Sequence, residues 1–268
     1  MPGVAEKLKY ICVLAVPRTG SSHLCHLLHS CPGINMKSEL FHPKGVHLVN
    51  KQDHEVLRAL SGGAITDNDS LCLWRAAHPG ATLEALHESG GGRPLVFKLF
   101  GSHVTRDLVE SEIFARGDTG FIVLRRRPIE SFISGLKARS VDRHTKVDTT
   151  AVKPEADPVR FVKWARYVQR WYEWIDEQIA ARGLPAIRTS YETHLKSVAP
   201  QDALTNTLAA LEGIGFPHFE TGRKLFFATQ QDREERFQDR VANWDAFEAA
   251  LRANKWHAKL LDWALQAH

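Results

Sequence analysis

The chain has 268 residues, of which 43% are hydrophobic and 25% are charged, an ordinary globular composition. That length suits one large α/β domain or two small ones, and it can bury a substantial core without disulfide bonds. The net charge of +4 fits an anionic ligand, but it also fits many proteins that bind none.

Cysteine spacing and hydropathy argue against several other classes of protein. The four cysteines show no CxxC spacing, so a zinc site or a disulfide framework is not expected. No apolar run is long enough to span a bilayer, and the amino terminus lacks the long apolar region of a signal peptide. We therefore expect a reduced, cytoplasmic protein with no membrane span.

Apolar runs alternate with helical patterns along the chain, which predicts a parallel sheet with helices on both faces. Strands are predicted at Tyr10 to Val16, Pro94 to Phe100, Gly120 to Arg125 and Ala186 to Ser190. Helices are predicted at Gly20 to Ser30 and near 80–89, 104–114, 128–139 and 158–182. Beyond Gln201 the pattern is helical throughout, with a last helix from about Trp244. Residues 140–157 carry charges and threonines without periodicity, which predicts a lid or substrate-binding loop.

The segment after the first strand, PRTGSS at 17–22, is typical of a phosphate-binding loop. Amides at a helix amino terminus are unsatisfied and carry the positive end of the helix dipole. Gly20 allows close approach of the backbone, and Arg18 adds a charge. The loop lacks the GxxxxGK[ST] spacing and the lysine of a nucleotide triphosphatase. A helix that is merely capped after a buried strand would show the same pattern.

A second basic segment, FIVLRRRPIESFIS, follows the third predicted strand at 121–134. Ligands of open α/β sheets bind at the carboxyl ends of the strands, so these arginines should face the same crevice as PRTGSS. Arg126 and Ser134 could grip a second phosphate there. Three solvated arginines at a strand end are the simpler alternative.

Taken together, the two segments resemble the sulfotransferase family that uses 3′-phosphoadenosine 5′-phosphosulfate (PAPS). In that family a 5′-phosphosulfate loop follows the first strand, and a 3′-phosphate motif has the spacing of Arg126, Pro128 and Ser134. The stretch PRTGSSHLCHLL…PGINMKSELFHP looks like the bacterial and carbohydrate-type branch. TSYETHL at 189–195 is similar to the family's tyrosine segment, and RVANWDAFEAAL at 240–251 to its nucleotide-covering region.

The resemblance implies one P-loop-like, three-layer sulfotransferase domain over 1–268, with a central parallel sheet flanked by helices and a helical C-terminal part. It implies PAPS as donor, PAP (3′-phosphoadenosine 5′-phosphate) as product, and no metal. The residues expected to bind the nucleotide are Arg18, Thr19, Gly20, Ser21, Ser22, Arg126, Ser134 and Tyr191.

Three residues are candidates for the transfer step, which needs in-line placement and a base for the acceptor hydroxyl. The resemblance makes Glu39, in KSELF, the expected base, whereas His103 is the base by analogy with the cytosolic branch. Lys98 would steady the leaving phosphate or the bridging oxygen. The sequence does not choose between Glu39 and His103.

The expected acceptor is a glycan, a glycolipid or another small metabolite with a hydroxyl group. A P-loop small-molecule kinase and a catalytically inactive nucleotide-binding protein are the alternatives. No aromatic–basic ribbon or recognition-helix pattern indicates nucleic-acid binding. A homodimer is compatible with the sequence.

Overall fold

The computed structural model describes residues 7–45, 51–142, 147–228 and 230–266. Its centre is a five-stranded sheet with strand order β2-β3-β1-β4-β5, in which every neighbouring pair is parallel. The strands are β1 (Tyr10–Leu14), β2 (Asn35–Ser38), β3 (Leu95–Leu99), β4 (Thr119–Arg125) and β5 (Ala186–Ser190). Helices cover both faces, so the predicted P-loop-like, three-layer α/β architecture is confirmed.

The helices of the N-terminal half are α1 (Ser21–His29), α2 (Lys51–Leu60), α3 (Asn68–Ala77), α4 (Pro79–Ser89) and α5 (Arg106–Val109), which continues as a π-helical turn (Glu110–Phe114). The second half contains α6 (Pro128–Ser140), α7 (Pro158–Arg182), a π-helical turn (Tyr191–Lys196), α8 (Pro200–Gly213), α9 (Phe237–Arg240), α10 (Trp244–Arg252) and α11 (Lys255–Leu265).

The central strand β1 is buried on both faces, as its continuous apolar sequence predicts. Its side chains alternate between two cores, with Tyr10, Cys12 and Leu14 on one face and Ile11 and Val13 on the other. From β1 the chain turns to the β2–β3 side of the sheet, and from β4 it turns to β5 on the opposite side. The carboxyl ends of β1 and β4 therefore border the crevice where open α/β sheets bind ligands.

Helix α7 fixes one of the covering layers against the sheet through buried hydrogen bonds. The indole of Trp171 donates to the carbonyl of Ala15 at 2.9 Å, and the Tyr172 hydroxyl donates to the carbonyl of Leu124 at 2.6 Å. Asp157 caps the helix amino terminus, as the sequence predicts. The amino-terminal turns of α7 pack with α6, α10 and α11 in a third core.

The sequence analysis missed the edge strand β2, whose residues NMKS form no apolar run. Lys37 is nevertheless buried, and its ammonium pairs with Asp53 of α2 at 2.6 Å. That partner allows a polar strand to occupy an interior position. The helices α2 and α3 were also not predicted.

The prediction of helix throughout the region beyond Gln201 is wrong for 214–236, where the described residues are not helical. Backbone amides of this segment bond instead to Ser30, the residue that follows α1. Gly222 donates to its carbonyl and Phe226 to its hydroxyl. The predicted last helix is divided into α10 and α11, because Asn254 caps a new helix start.

The described part of the predicted 140–157 loop is not helical beyond Ser140, and 143–146 lie outside the described residues. Thr149 is buried and its amide donates to the carbonyl of Gln231 at 2.7 Å. The loop is thus joined to the segment that precedes α9, and its function as a lid stays a prediction.

All four cysteines are buried and free, in agreement with the expected reduced thiols. Within the described residues, no helix combines the length and the apolar character that crossing a membrane would need.

Candidate functional site

The loop after β1 closes tightly around Gly20, the residue before α1. Gly20 has a φ of 85°, and a Cβ there would lie 2.3 Å from the Tyr191 ring. Only glycine satisfies both the backbone conformation and this close contact. No side chain caps the helix, so the first-turn amides of α1 face the crevice without an intrahelical partner. The loop has the local geometry of an anion site.

Arg18 has a left-handed backbone, with φ 69°, that turns its side chain across the crevice. Its Nε donates to the hydroxyl of Ser134 on α6 at 3.0 Å, and another guanidinium nitrogen donates to Gln231 at 2.5 Å. Burial, followed by the nearby Arg126, lowers the pKa of Arg18. The structure thus holds two guanidinium groups close enough to repel each other, an arrangement that a bound anion would stabilise.

Two of the three arginines at the end of β4 turn to different partners. Arg125 turns towards α7, where it pairs with Asp176 and lies over the Tyr172 ring. Arg126 turns to the crevice and donates to the carbonyl of Arg18 at 2.9 Å. The sequence could not tell these neighbours apart.

Arg126 is also the residue that joins the two predicted phosphate-binding segments. Its guanidinium lies 4.3 Å from the centre of the Tyr191 ring and 3.2 Å from a carboxylate oxygen of Glu130. Its Nε, like those of Arg125 and Arg127, is buried and finds no hydrogen-bond partner among the described residues. A buried donor without a partner is a site that a phosphate oxygen would satisfy, so these residues fit the predicted nucleotide.

A cavity of about 360 Å³ opens beside Arg126. That volume falls in the range of about 300–1,000 Å³ that small-molecule sites occupy. Its lining consists of Arg126, Arg127, Glu130, Tyr191, Glu192, Lys196, Ser197 and Glu235.

The position of Arg126 depends on a buried network of charges that the sequence analysis did not identify. Glu130 accepts from Arg240 at 2.6 Å as well as from Arg126, and Arg240 also pairs with Asp232. Asp232 in turn pairs with the buried Lys137 at 2.9 Å. Burial by itself would raise the pKa of Glu130. The positive charges of Arg126 and Arg240 have the larger combined effect, and the pKa of Glu130 lies below its usual value.

We define the described residues 222–228 and 230–233 as the covering segment, because their contacts reach α1 and the loop after β1. Nδ1 of His23 lies 3.1 Å from the carbonyl oxygen and 3.2 Å from the amide nitrogen of Ala228, and its tautomer decides whether it donates to the first or accepts from the second. Gln231 accepts from Arg18. The expected nucleotide-covering region, 240–251, instead places α10 in the third core, with Arg240 as its link to the crevice.

The transfer candidates Glu39 and Lys98 meet at the carboxyl edge of β2 and β3. The Lys98 ammonium lies 2.9 Å from Glu39 Oε1, and it donates to the hydroxyl of Ser22 at 2.9 Å. An irregularity in the β2–β3 pairing and the left-handed backbone of Ser38 (φ 49°) turn the chain immediately before Glu39. Lys98 therefore links the carboxylate to the first turn of α1.

His103 lies on the other side of the same carboxylate. Its Nε2 is 3.9 Å from Glu39 Oε2, and its Nδ1 accepts a hydrogen bond from the Phe100 amide at 3.4 Å. His42 approaches Glu39 at 3.9 Å as well. Burial lowers the pKa of His103 to about 4, although the Glu39 carboxylate opposes that shift. His103 is therefore neutral at neutral pH.

The remaining predicted site residues all lie on the loop or on the first turn of α1. The hydroxyl of Thr19 is buried and donates to the carbonyl of Val16 at 2.9 Å, so this side chain holds the loop in place. Ser21 is buried, whereas Ser22 is half-buried and contacts Lys98.

No protein-family model matches the sequence, and no match is found among curated proteins. Among solved structures, the chain is similar to one described as the sulfotransferase domain from the curacin biosynthetic pathway. The two sequences are 15% identical, the TM-score is 0.48, and the match covers 96% of this chain and 98% of the other. A likeness of this degree assigns neither an activity nor a site residue.

The lowered pKa of His103 predicts how stability depends on pH. Between its ordinary value of 6.5 and about 4, the unfolded chain takes up a proton on His103 that the folded chain does not. The free energy of unfolding therefore falls as the pH drops through this range. Between pH 7 and pH 4.5, the free energy of unfolding measured with urea should fall by about 2–3 kcal/mol less in His103→Asn than in the wild type. Equal losses in the two proteins would contradict a buried, neutral histidine.

Proposed function

We propose that this chain transfers a sulfuryl group from PAPS to the hydroxyl of an acceptor. The observation that carries the proposal is the meeting of two anion-binding segments, through Arg18 and Arg126, at one crevice. A donor with phosphates at both its 5′ and 3′ positions needs two such segments. The adjoining Glu39 and Lys98 supply groups for the transfer itself.

The loop after β1 holds the 5′ end of the donor in this proposal. The first-turn amides of α1 and the Ser22 hydroxyl donate to its oxygens, and the dipole of α1 favours their negative charge. The 3′-phosphate is held by Arg126 and Ser134. Arg18 connects these two residues, because its carbonyl accepts from Arg126 and its Nε donates to the Ser134 hydroxyl. A phosphate oxygen that accepts a hydrogen bond from Arg126 Nε, which has no partner among the described residues, gives this second position its affinity.

The donor supplies an activated sulfur, to which the acceptor oxygen bonds as the bridging oxygen–sulfur bond breaks and its electron pair stays on the 5′-phosphate. Glu39 accepts the proton of the acceptor hydroxyl. Lys98 and the first-turn amides stabilise the negative charge left on the phosphate. Because Lys98 contacts both Glu39 and Ser22, it keeps the base at a fixed distance from the donor loop.

Glu39 is a better candidate for the base than His103. The side chain of Glu39 is 24% exposed and can reach an acceptor, whereas that of His103 is 2% exposed. A histidine with a pKa of about 4 is also a poor proton acceptor near neutral pH. His103 contributes by positioning the carboxylate.

The first test concerns the donor, and it compares the binding of PAP with that of AMP by calorimetry. PAP should bind about a hundredfold more tightly or better, because charge-assisted contacts to the 3′-phosphate are strong. Arg126→Ala should remove most of this preference, while Glu130 keeps Arg240 as its partner.

Arg125→Ala is the matched control for Arg126→Ala, since Arg125 pairs with Asp176 on α7. It should keep the wild-type ratio of PAP to AMP affinity, even where it lowers stability. Equal affinity of the wild-type protein for the two nucleotides would refute PAPS as the donor.

The second test separates sulfuryl transfer from the chemistry of a kinase. The proposed transfer should continue in excess EDTA, since no metal bridges the phosphates of this donor. A kinase would stop, because magnesium neutralises the charge of its transferred group. Transfer from labelled PAPS or ATP, measured with and without EDTA over a panel of sugars, lipids, phenols and steroids, decides between them.

The third test concerns the base and uses the best acceptor from that panel. Glu39→Gln should lower kcat by roughly 10²–10⁴-fold while PAP affinity stays close to that of the wild type. Glutamine keeps the size and the oxygen that faces Lys98, so the loss reports proton transfer. His103→Asn should lower kcat by only about tenfold, through positioning. Glu55→Gln, at an exposed carboxylate of α2, is the control.

A nearly inactive His103→Asn together with an active Glu39→Gln would assign the base to His103.

A further inference from the structure

A second cavity, of about 510 Å³, lies beyond the carboxyl edge of the sheet between α6 and α7. Its apolar surface comes from Phe132, Trp164 and Tyr167, of which the last two are half-buried. A hydrogen bond joins Tyr167 to the backbone of Gly101, at the turn that carries His103. Tyr167 therefore connects the wall of the cavity to the turn that carries His103, and Pro17 and Arg18 of the loop after β1 form another part of the lining.

Among the residues that the structure describes, the charged side chains lining this cavity are Arg18, Arg139, Arg160 and Lys163, all of them cations. Arg139, Arg160 and Lys163 form no ion pair with any of the residues that the structure describes. Burial and the neighbouring charge of Arg160 lower the pKa of Arg139. An anion bound in the cavity would reduce the repulsion between these positive charges.

Aromatic side chains beside these cations define the rest of the ligand. Trp164 and Tyr167 offer flat faces on which a ring can pack, and such faces supply much of the affinity in small-molecule sites. A ligand with a ring and a negatively charged group would use both features of the cavity.

We propose that this cavity binds the acceptor, and that the acceptor is an anionic, hydroxylated ring compound such as an acidic sugar. The identification of this ligand as the acceptor rests on the proposed function, whereas binding of the anion can be measured without any donor. Arg160 and Lys163 are the residues that select for the negative charge, and Trp164 packs against the ring.

Two probes that differ in one group test the charge selection. 4-Nitrophenyl β-D-glucuronide carries a carboxylate where 4-nitrophenyl β-D-glucoside carries a hydroxymethyl group. Calorimetry on the full chain should show the glucuronide binding at least about tenfold more tightly, and the difference should shrink at high salt. The double variant Arg160→Gln, Lys163→Gln should lose most of the preference.

Arg170→Gln removes one positive charge from the exposed side of α7, outside the cavity lining, and should leave the preference unchanged. The glucuronide should also bind when PAP is saturating, because the two occupy different cavities. Equal binding of the two probes, an equal effect of Arg170→Gln, or full competition by PAP would each overturn the inference. A protein that prefers the glucuronide but does not bind PAP would keep this anion site and lose the proposed function.

Discussion

The ammonium group of Lys98 holds together two sides of the candidate transfer site. Lys98 is 1% exposed, and a buried charge is stable only with partners in hydrogen-bonding distance. Its two partners, Glu39 and Ser22, come from an edge strand and from the first turn of α1. Because Lys98 bonds to both partners, it fixes the position of the Glu39 carboxylate relative to the loop after β1.

A second set of buried charges performs the same task on the opposite side of the crevice. Arg126 is held by Glu130, and Glu130 is held by Arg240 from the C-terminal part of the chain. Removing Glu130 would leave the largely buried Arg126 without its carboxylate partner among the described residues. The crevice is thus bordered on both sides by ion pairs that connect separate secondary-structure elements.

The sequence was sufficient to predict the features that depend on local patterns. The continuous apolar run of β1 predicted a strand buried on both faces, and Gly20 predicted a tight loop before α1. The strand β2 could not be predicted, because its polar residue Lys37 is interior only by virtue of its pairing with Asp53. The spacing of apolar residues within one segment carries no information about a charged partner on another element.

Within the candidate site, the sequence identified the residue types but not their contacts. It placed three arginines at the end of β4 without indicating that Arg125 turns to α7 and Arg126 to the crevice. It missed Arg240 and Gln231, whose contacts with Glu130 and Arg18 span 110 and 213 positions of the chain. No local signal marks such pairs, because each depends on the folded arrangement of distant segments.

These long separations have a consequence for how the protein forms during synthesis. The strands up to β4 and the loop around Gly20 are complete before the covering segment leaves the ribosome, since chains emerge from the amino terminus. Arg18 then lacks Gln231, while Glu130 and Lys137 of α6 lack Arg240 and Asp232. The crevice therefore acquires its full set of contacts only after residues up to Arg240 have been synthesised, and closing such large loops is a slow step in folding.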